Sequence, residues 1–215
     1  MIAAIICDFG GVLTSPLIGS FARFQDHAGI PLKSLGRAMA TITERDGAHP
    51  LFELECGRMT EAAFLDGLSA TLGEDLGRPV PMHEFSEHLW AGLHRNEPLI
   101  ELMCELRDAG YRMALLTNNV REWEPRWRSM LPVDEIFELV VDSAFVGMRK
   151  PDHAIYELTV ERLGVPAERC LFIDDFAHNC AAAREVGMTA VHYEEPDRAI
   201  AEIRAALAPE RPEAA

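Results

Sequence analysis

Apolar residues follow two rhythms along this chain. Short, almost continuously apolar runs occupy residues 2–7, 112–117, 139–141, 170–173 and 188–192. Runs of that length predict strands buried on both faces, as in a parallel sheet. Between the later runs the spacing becomes that of helices, over 98–109, 151–163 and 177–186. Pro98 and Pro151 open two of these segments, and Gly110, Gly164 and Gly187 follow their ends, the usual punctuation of helix starts and stops. Alternation of this kind predicts βαβ units. The expected class is α/β, a Rossmann-like parallel sheet with helices on both faces.

Residues 15–96 break the rhythm. Helical spacing recurs at 20–28, 32–42, 60–72 and 82–93, and no strand pattern appears. Thr60, three residues before Ala63, is placed to cap a helix N-terminus. This stretch is expected to form an α-helical subdomain inserted after the first strand, with the core made of 1–14 and 97–208. Residues 209–215 are expected to be a frayed tail.

Candidate chemistry gathers at the ends of four strands. Asp8 follows the first, in Asp8-Phe9-Gly10-Gly11. Thr117-Asn118-Asn119 ends the second, Lys150 follows the third, and Asp174-Asp175 ends the fourth, with Asn179 four positions after Asp175. In a parallel sheet these ends open onto one crevice. A carboxylate there can attack phosphorus and divide one difficult step into two. Thr117 and Asn118 can donate hydrogen bonds to phosphate oxygens. Lys150 can neutralise Asp8 and an anionic substrate. Asp8, Asp174 and Asp175 would repel one another unless a cation sat among them, and oxygen ligands beside phosphate suit Mg²⁺.

Charge sharpens this reading. Twenty Lys and Arg face 35 Asp and Glu, for a net charge of −15. Such a surface disfavours nucleic acid and anionic membranes, so a phosphate site must be locally positive. Only Lys33 and Lys150 are lysines; the other cationic positions are Arg. A compact point charge at position 150 therefore stands out. The five cysteines are scattered, with no C-x-x-C pair, which favours buried thiols over a zinc or disulfide framework. Asp8 interrupts the N-terminal apolar run too early for a signal peptide or a membrane span. The expectation is a soluble cytoplasmic protein, monomer or homodimer, acting on a small phosphorylated metabolite.

The four motifs, their order and their spacing resemble the haloacid dehalogenase superfamily. Residues 15–96 resemble its C1-type cap. Gly147-Met148-Arg149-Lys150-Pro151 and Phe172-Ile173-Asp174-Asp175 with Asn179 resemble the branch that includes the N-terminal phosphatase domain of soluble epoxide hydrolases. The resemblance implies a Mg²⁺-dependent phosphatase with Asp8 as nucleophile. It implies Asp175 as metal ligand, supported by Asp174 and the carbonyl of Gly10, and Gly11, Thr117, Asn118 and Lys150 as phosphate-holding residues, with Asn179 in support. The departure is Gly10, where the superfamily's phosphatases usually carry Asp as general acid. Its loss favours leaving groups that need little protonation.

Two rival functions remain at this point: a 2-haloacid dehalogenase, whose halide leaves without a proton, and a catalytically weak module that binds a phosphate ligand. Trp123 and Trp127, four apart, are expected to pack on the core. The eight histidines show no metal-ligand spacing along the sequence. Glu53, Glu55 and Arg58 are expected in a cap loop facing substrate.

Overall fold

The structure is a computed structural model that describes residues 1–208, so the expected tail at 209–215 lies outside the described residues. Five strands form one sheet: β1 (Ala4–Cys7), β2 (Arg112–Thr117), β3 (Leu139–Asp142), β4 (Cys170–Asp174) and β5 (Thr189–His192). All pairings are parallel, in the order β3-β2-β1-β4-β5. The sheet buries both faces because its strands are apolar on both sides. Ile5 and Cys7 of β1 join Met113, Leu115, Leu171 and Ile173 in one core cluster, and Ala4 and Ile6 join Ala114, Leu116 and Phe172 in the other.

The inserted stretch carries five helices: α1 (Leu17–Ala28), α2 (Leu32–Asp46), α3 (Pro50–Glu55), α4 (Glu61–Leu76) and α5 (Phe85–Ala91). Thr60 caps α4, its Oγ1 accepting from the Ala63 N–H at 3.2 Å. These helices bury a third cluster, including Phe24, Ile42, Leu54, Phe64, Leu68 and Leu72, which Val120 joins from the segment after β2. The chain enters and leaves them through two adjacent segments. Thr14 and Arg95 form an antiparallel bridge. Ser15 N donates to His94 O at 2.7 Å, and Asn96 N to Leu13 O at 3.0 Å.

Seven further helices follow: α6 (Glu97–Asp108), α7 (Glu124–Ser129), α8 (Val133–Ile136), α9 (Ser143–Val146), α10 (His153–Leu163), α11 (Ala177–Glu185) and α12 (Pro196–Leu207). Residues of α6 and α12 pack on one face of the sheet, and residues of α10 and α11 on the other. Trp127 is fully buried in the first cluster, and Trp123 is partly buried against it. No helix among the described residues is long and apolar enough to cross a membrane.

Candidate active site

The strand order reverses about β1, which has β2 on one side and β4 on the other. In open α/β sheets the crevice beyond the carboxyl ends at such a reversal is where ligands bind. Asp8 stands there, directly after β1, held by its N–H donating to Ile173 O at 2.9 Å. Thr117 ends β2 and Asp174 ends β4, with Asp175 next. Lys150 comes from the segment between α9 and α10, so four separate chain segments meet here.

Lys150 organises the cluster. Its side chain is only 1 % exposed, and Nζ lies 2.7 Å from Asp8 Oδ1 and 2.6 Å from Asp174 Oδ2. A third bond goes to the Leu116 carbonyl at 3.0 Å, which uses all three ammonium donors. Burial would lower the Lys150 pKa, but the ion pairs with Asp174 and Asp8 outweigh it and hold the ammonium well above its ordinary value.

The Asn118 amide grips the backbone of the same lysine: Nδ2 donates to Lys150 O at 3.0 Å, and Lys150 N donates to Oδ1 at 2.8 Å. One Nδ2 hydrogen remains for a ligand. Asp174 is fully buried, and its Oδ1 accepts from Phe176 N at 2.8 Å and Asn179 Nδ2 at 2.9 Å. Asn179 thus acts through Asp174, and Asp174 fixes Lys150. Thr117 is buried, 3.5 Å from Asn119 Nδ2.

Asp8, Asp174 and Asp175 each bring a carboxylate oxygen within 4.8 Å of the others. Three carboxylates against one ammonium leave two excess negative charges, which a divalent cation would balance. Burial pushes the Asp8 carboxyl up to about 8 against the pull of Lys150, with Asp174 and Asp175 adding to the rise. Burial likewise pushes Asp175 up to about 6, helped by Asp174. Asp175 Oδ1 is buried without a hydrogen-bond partner, a costly state for a carboxylate oxygen unless a ligand fills it. The residues present therefore fit a divalent cation with oxygen ligands.

The two glycines differ in kind. Gly11 has φ +76°, and a Cβ there would fall 2.2 Å from Asp175 Oδ2, so the turn needs glycine to let that carboxylate in. Gly10 has no such constraint. A Cβ there would meet only Leu17, at 3.3 Å from Cδ1, apart from its chain neighbours. The backbone admits a side chain at residue 10, so the missing carboxyl is a chemical feature and not a steric one.

The inserted helices reach the crevice through α3 and the turn after it; Glu53 and Glu55, expected in a loop, lie in α3 because Pro50 opens a helix there. Glu55 pairs with Arg149 at 2.6 Å, both largely buried, and the Glu55 carbonyl accepts from Ser143 Oγ at 2.6 Å. The Arg149 guanidinium lies 4.0 Å from the centre of the Phe52 ring, which stacks on His49. Arg58 pairs with Glu53 at 2.8 Å and donates to Gly147 O at 3.2 Å. Of the expected cap-loop trio, Glu55 touches the segment that carries Lys150, while Glu53 and Arg58 form an exposed pair at its edge. Sequence reasoning missed Arg149 and Ser143; the adjacency of Arg149 to Lys150 was the available signal. A separate cavity of about 560 Å³, lined by Leu65, Met82 and Trp123 among others, includes none of the crevice residues.

A family model for haloacid dehalogenase-like hydrolases matches residues 2–187. Mouse acyl-CoA dehydrogenase family member 10 is 29 % identical over 210 residues, covering 95 % of this chain and 19 % of that protein. Mouse bifunctional epoxide hydrolase 2 is 25 % identical over 219 residues, covering 96 % of this chain and 39 % of that one. The chain thus spans about a fifth to two fifths of these relatives. A haloacid dehalogenase family enzyme from Bacteroides thetaiotaomicron, solved with magnesium and inorganic phosphate, superposes with a TM-score of 0.68 at 23 % identity, over 91 % of this chain and 96 % of that one. With the motif order, the sheet topology and the match over most of its length, the chain belongs to the haloacid dehalogenase-like hydrolases.

Proposed function

We propose that this chain is a Mg²⁺-dependent phosphomonoester hydrolase working through an aspartyl-phosphate on Asp8. The observation that carries the proposal is the buried Asp8–Lys150–Asp174 network beside Asp175, whose excess charge calls for a divalent cation. Magnesium prefers oxygen ligands and phosphate, and the Bacteroides enzyme holds both. Asp8, Asp175 and the Gly10 carbonyl would hold the ion, with Asp174 behind them. When bound, it would neutralise charge on the transferring phosphoryl group.

The chain's own residues supply the rest. Lys150 occupies Asp8 Oδ1, which leaves Oδ2 to attack phosphorus while the ester P–O bond breaks. Thr117 and the free Asn118 hydrogen receive the phosphoryl oxygens, with Lys150 offsetting their charge; the Gly11 N–H, expected to join them, donates instead to Thr14 Oγ1 at 3.2 Å. The departing oxygen takes its electron pair without a proton from residue 10, so acyl, aryl and anomeric sugar phosphates are the favoured substrates. Water then attacks phosphorus, the Asp8 Oδ2–P bond breaks and restores the carboxylate, and the water's proton leaves with phosphate or to solvent, slowly for want of a base at residue 10. Residues 15–96 act as a cap that excludes water and selects substrate. The bridge between Thr14 and Arg95 supports limits close to those residues. The five free cysteines accord with a reducing cytoplasm.

Gly10 is the observation that keeps a second reading, a 2-haloacid dehalogenase, since halide needs no acid. One experiment separates the two. Phosphate release from acetyl phosphate, 4-nitrophenyl phosphate and an alkyl phosphate is measured with Mg²⁺ and with chelator, alongside Asp8→Asn. Mg²⁺-dependent turnover that vanishes in D8N and falls steeply with leaving-group pKa is the expected result. Full activity in D8N overturns the reading, as does metal-independent halide release from a 2-haloacid with no phosphate release.

A further inference from the structure

Three side chains from two separate segments of the cap meet at its surface. His27 lies in the last turn of α1, Glu84 directly precedes α5, and His88 lies on α5. His27 Nε2 is 3.2 Å and His88 Nε2 is 3.7 Å from the same oxygen, Glu84 Oε2. All three ligand atoms lie within 4.8 Å of one another. The two imidazole rings are 4.1 Å apart at their centres, tilted by 36°. A tetrahedral zinc ion with bonds of about 2.0–2.1 Å holds adjacent ligand atoms roughly 3.3 Å apart, close to the two nitrogen–oxygen gaps found here.

We propose that His27, Glu84 and His88 form a second metal site, for a late first-row divalent cation such as Zn²⁺, distinct from the carboxylate cluster at Asp8. Two imidazole nitrogens with one carboxylate suit Zn²⁺, Ni²⁺ or Cu²⁺ and not Mg²⁺, whose preferred ligands are oxygens. The site rests on a fixed floor. Phe24 of α1 is buried and meets Phe85 of α5 edge-on at 5.0 Å, and His88 lies 6.0 Å from the same Phe24 ring. The packing of α1 on α5 sets the histidines side by side before any ion arrives, which lowers the cost of binding one. On the outer side all three ligands reach solvent, so an ion can enter and a water can complete the tetrahedron. The bound ion ties the cap's first helix to its last. No spacing rule could reveal this site, because His27 and Glu84 are 57 residues apart.

His83 supplies the control. It approaches the other oxygen, Glu84 Oε1, at 3.7 Å, and is not part of the trio. The test is calorimetric titration of the chelator-stripped full chain with Zn²⁺ in excess Mg²⁺, which keeps the carboxylate cluster occupied. One Zn²⁺ per chain is expected. Its affinity should fall about tenfold or more in His27→Ala, His88→Ala and Glu84→Ala and hold in His83→Ala. Near-UV circular dichroism of each variant reports that the cap remains folded. The visible spectrum of the Co²⁺-loaded parent gives a readout independent of any variant, with the strong bands of four-coordinate nitrogen and oxygen ligation expected. Absence of a Zn²⁺ site, affinity in H27A and H88A unchanged from the parent, an equal loss in H83A, or a six-coordinate Co²⁺ spectrum would each overturn the proposal.

Discussion

Replacing Lys150 with Met keeps the length and volume of the side chain and removes its charge. Two carboxylates then lose an ammonium at 2.7 Å and 2.6 Å in a fully buried setting. Each contact carries a gross attraction of about 6 kcal/mol at an effective dielectric near 20. Desolvation of the ammonium offsets much of this, and breaking one side of a buried pair costs about 3–5 kcal/mol net. The loss should depend on pH, because the stranded carboxyls can take up protons. The Asp8 carboxyl is already raised to about 8 and Asp175 to about 6, and removal of Lys150 raises them further. A raised carboxyl costs nothing below its unfolded value near 4 and the full amount above its folded value. The parent protein carries the same cost up to its own folded values, so the extra penalty in K150M builds only above about pH 6, where Asp175 and then Asp8 ionise in the parent but not in the variant. Urea denaturation in chelator should show about 3–5 kcal/mol lost at pH 8 and roughly 1–2 at pH 5. A loss under about 1 kcal/mol at pH 8, or the same loss at both pH values, would refute the reasoning.

Gly10→Asp should fit with a small shift of Leu17 and raise kcat for alkyl phosphates by ~10²–10⁴-fold, with a much smaller gain for acetyl phosphate; a leaving-group series checks this, and an unchanged slope contradicts it. Gly11→Ala should force Asp175 aside, cost about 1–2 kcal/mol in backbone strain and raise the Mg²⁺ concentration for half-maximal activity ~10–100-fold, read from a metal titration. Asp142 is buried, with its carboxyl pushed up to about 6 by burial and Oδ2 unpartnered, while Oδ1 caps α9 through the Ala144 N–H. Asp142→Asn keeps that cap and removes the charge, so it should stabilise the fold by about 1–3 kcal/mol at pH 8. The gain should fade as pH drops through 6 towards 4, and chemical denaturation at the two extremes decides.

The sheet was legible because its signal is local. Residues 112–117 are continuously apolar but for Arg112 and Thr117, and β2 has those limits. Asp8, Thr117 and Asp174 stand at the ends of such runs; Lys150 does not, lying eight positions beyond β3 and past α9. Helices α3, α7, α8 and α9 were missed because four to six residues cannot display a helical period. Helix α12 was missed although its signal was present: Pro196 opens it, and Ala199, Ile200, Ile203 and Leu207 recur at helical spacing and pack on the core. What the sequence could not show is pairing across the fold. Lys150 was expected beside Asp8, yet its second partner, Asp174, lies 24 positions away. Asn118 was expected to hold phosphate, and its amide is found clasping the Lys150 backbone. The division of labour within Asp174-Asp175 is likewise visible only in three dimensions: the first is saturated by Lys150, Phe176 and Asn179, and the second keeps an unpartnered oxygen.

The position of Gly10 links structure to rate. A missing acid slows departure of poor leaving groups, and a missing base slows hydrolysis of the intermediate. With a good leaving group the second effect dominates, and phosphorylated enzyme should accumulate. The measurement to make is an acid quench of the Mg²⁺-loaded protein during turnover of radiolabelled acetyl phosphate, followed by peptide mapping. The account predicts label on the peptide containing Asp8, released by hydroxylamine and absent in D8N. Turnover with no label on the protein, or label that survives in D8N, would contradict it.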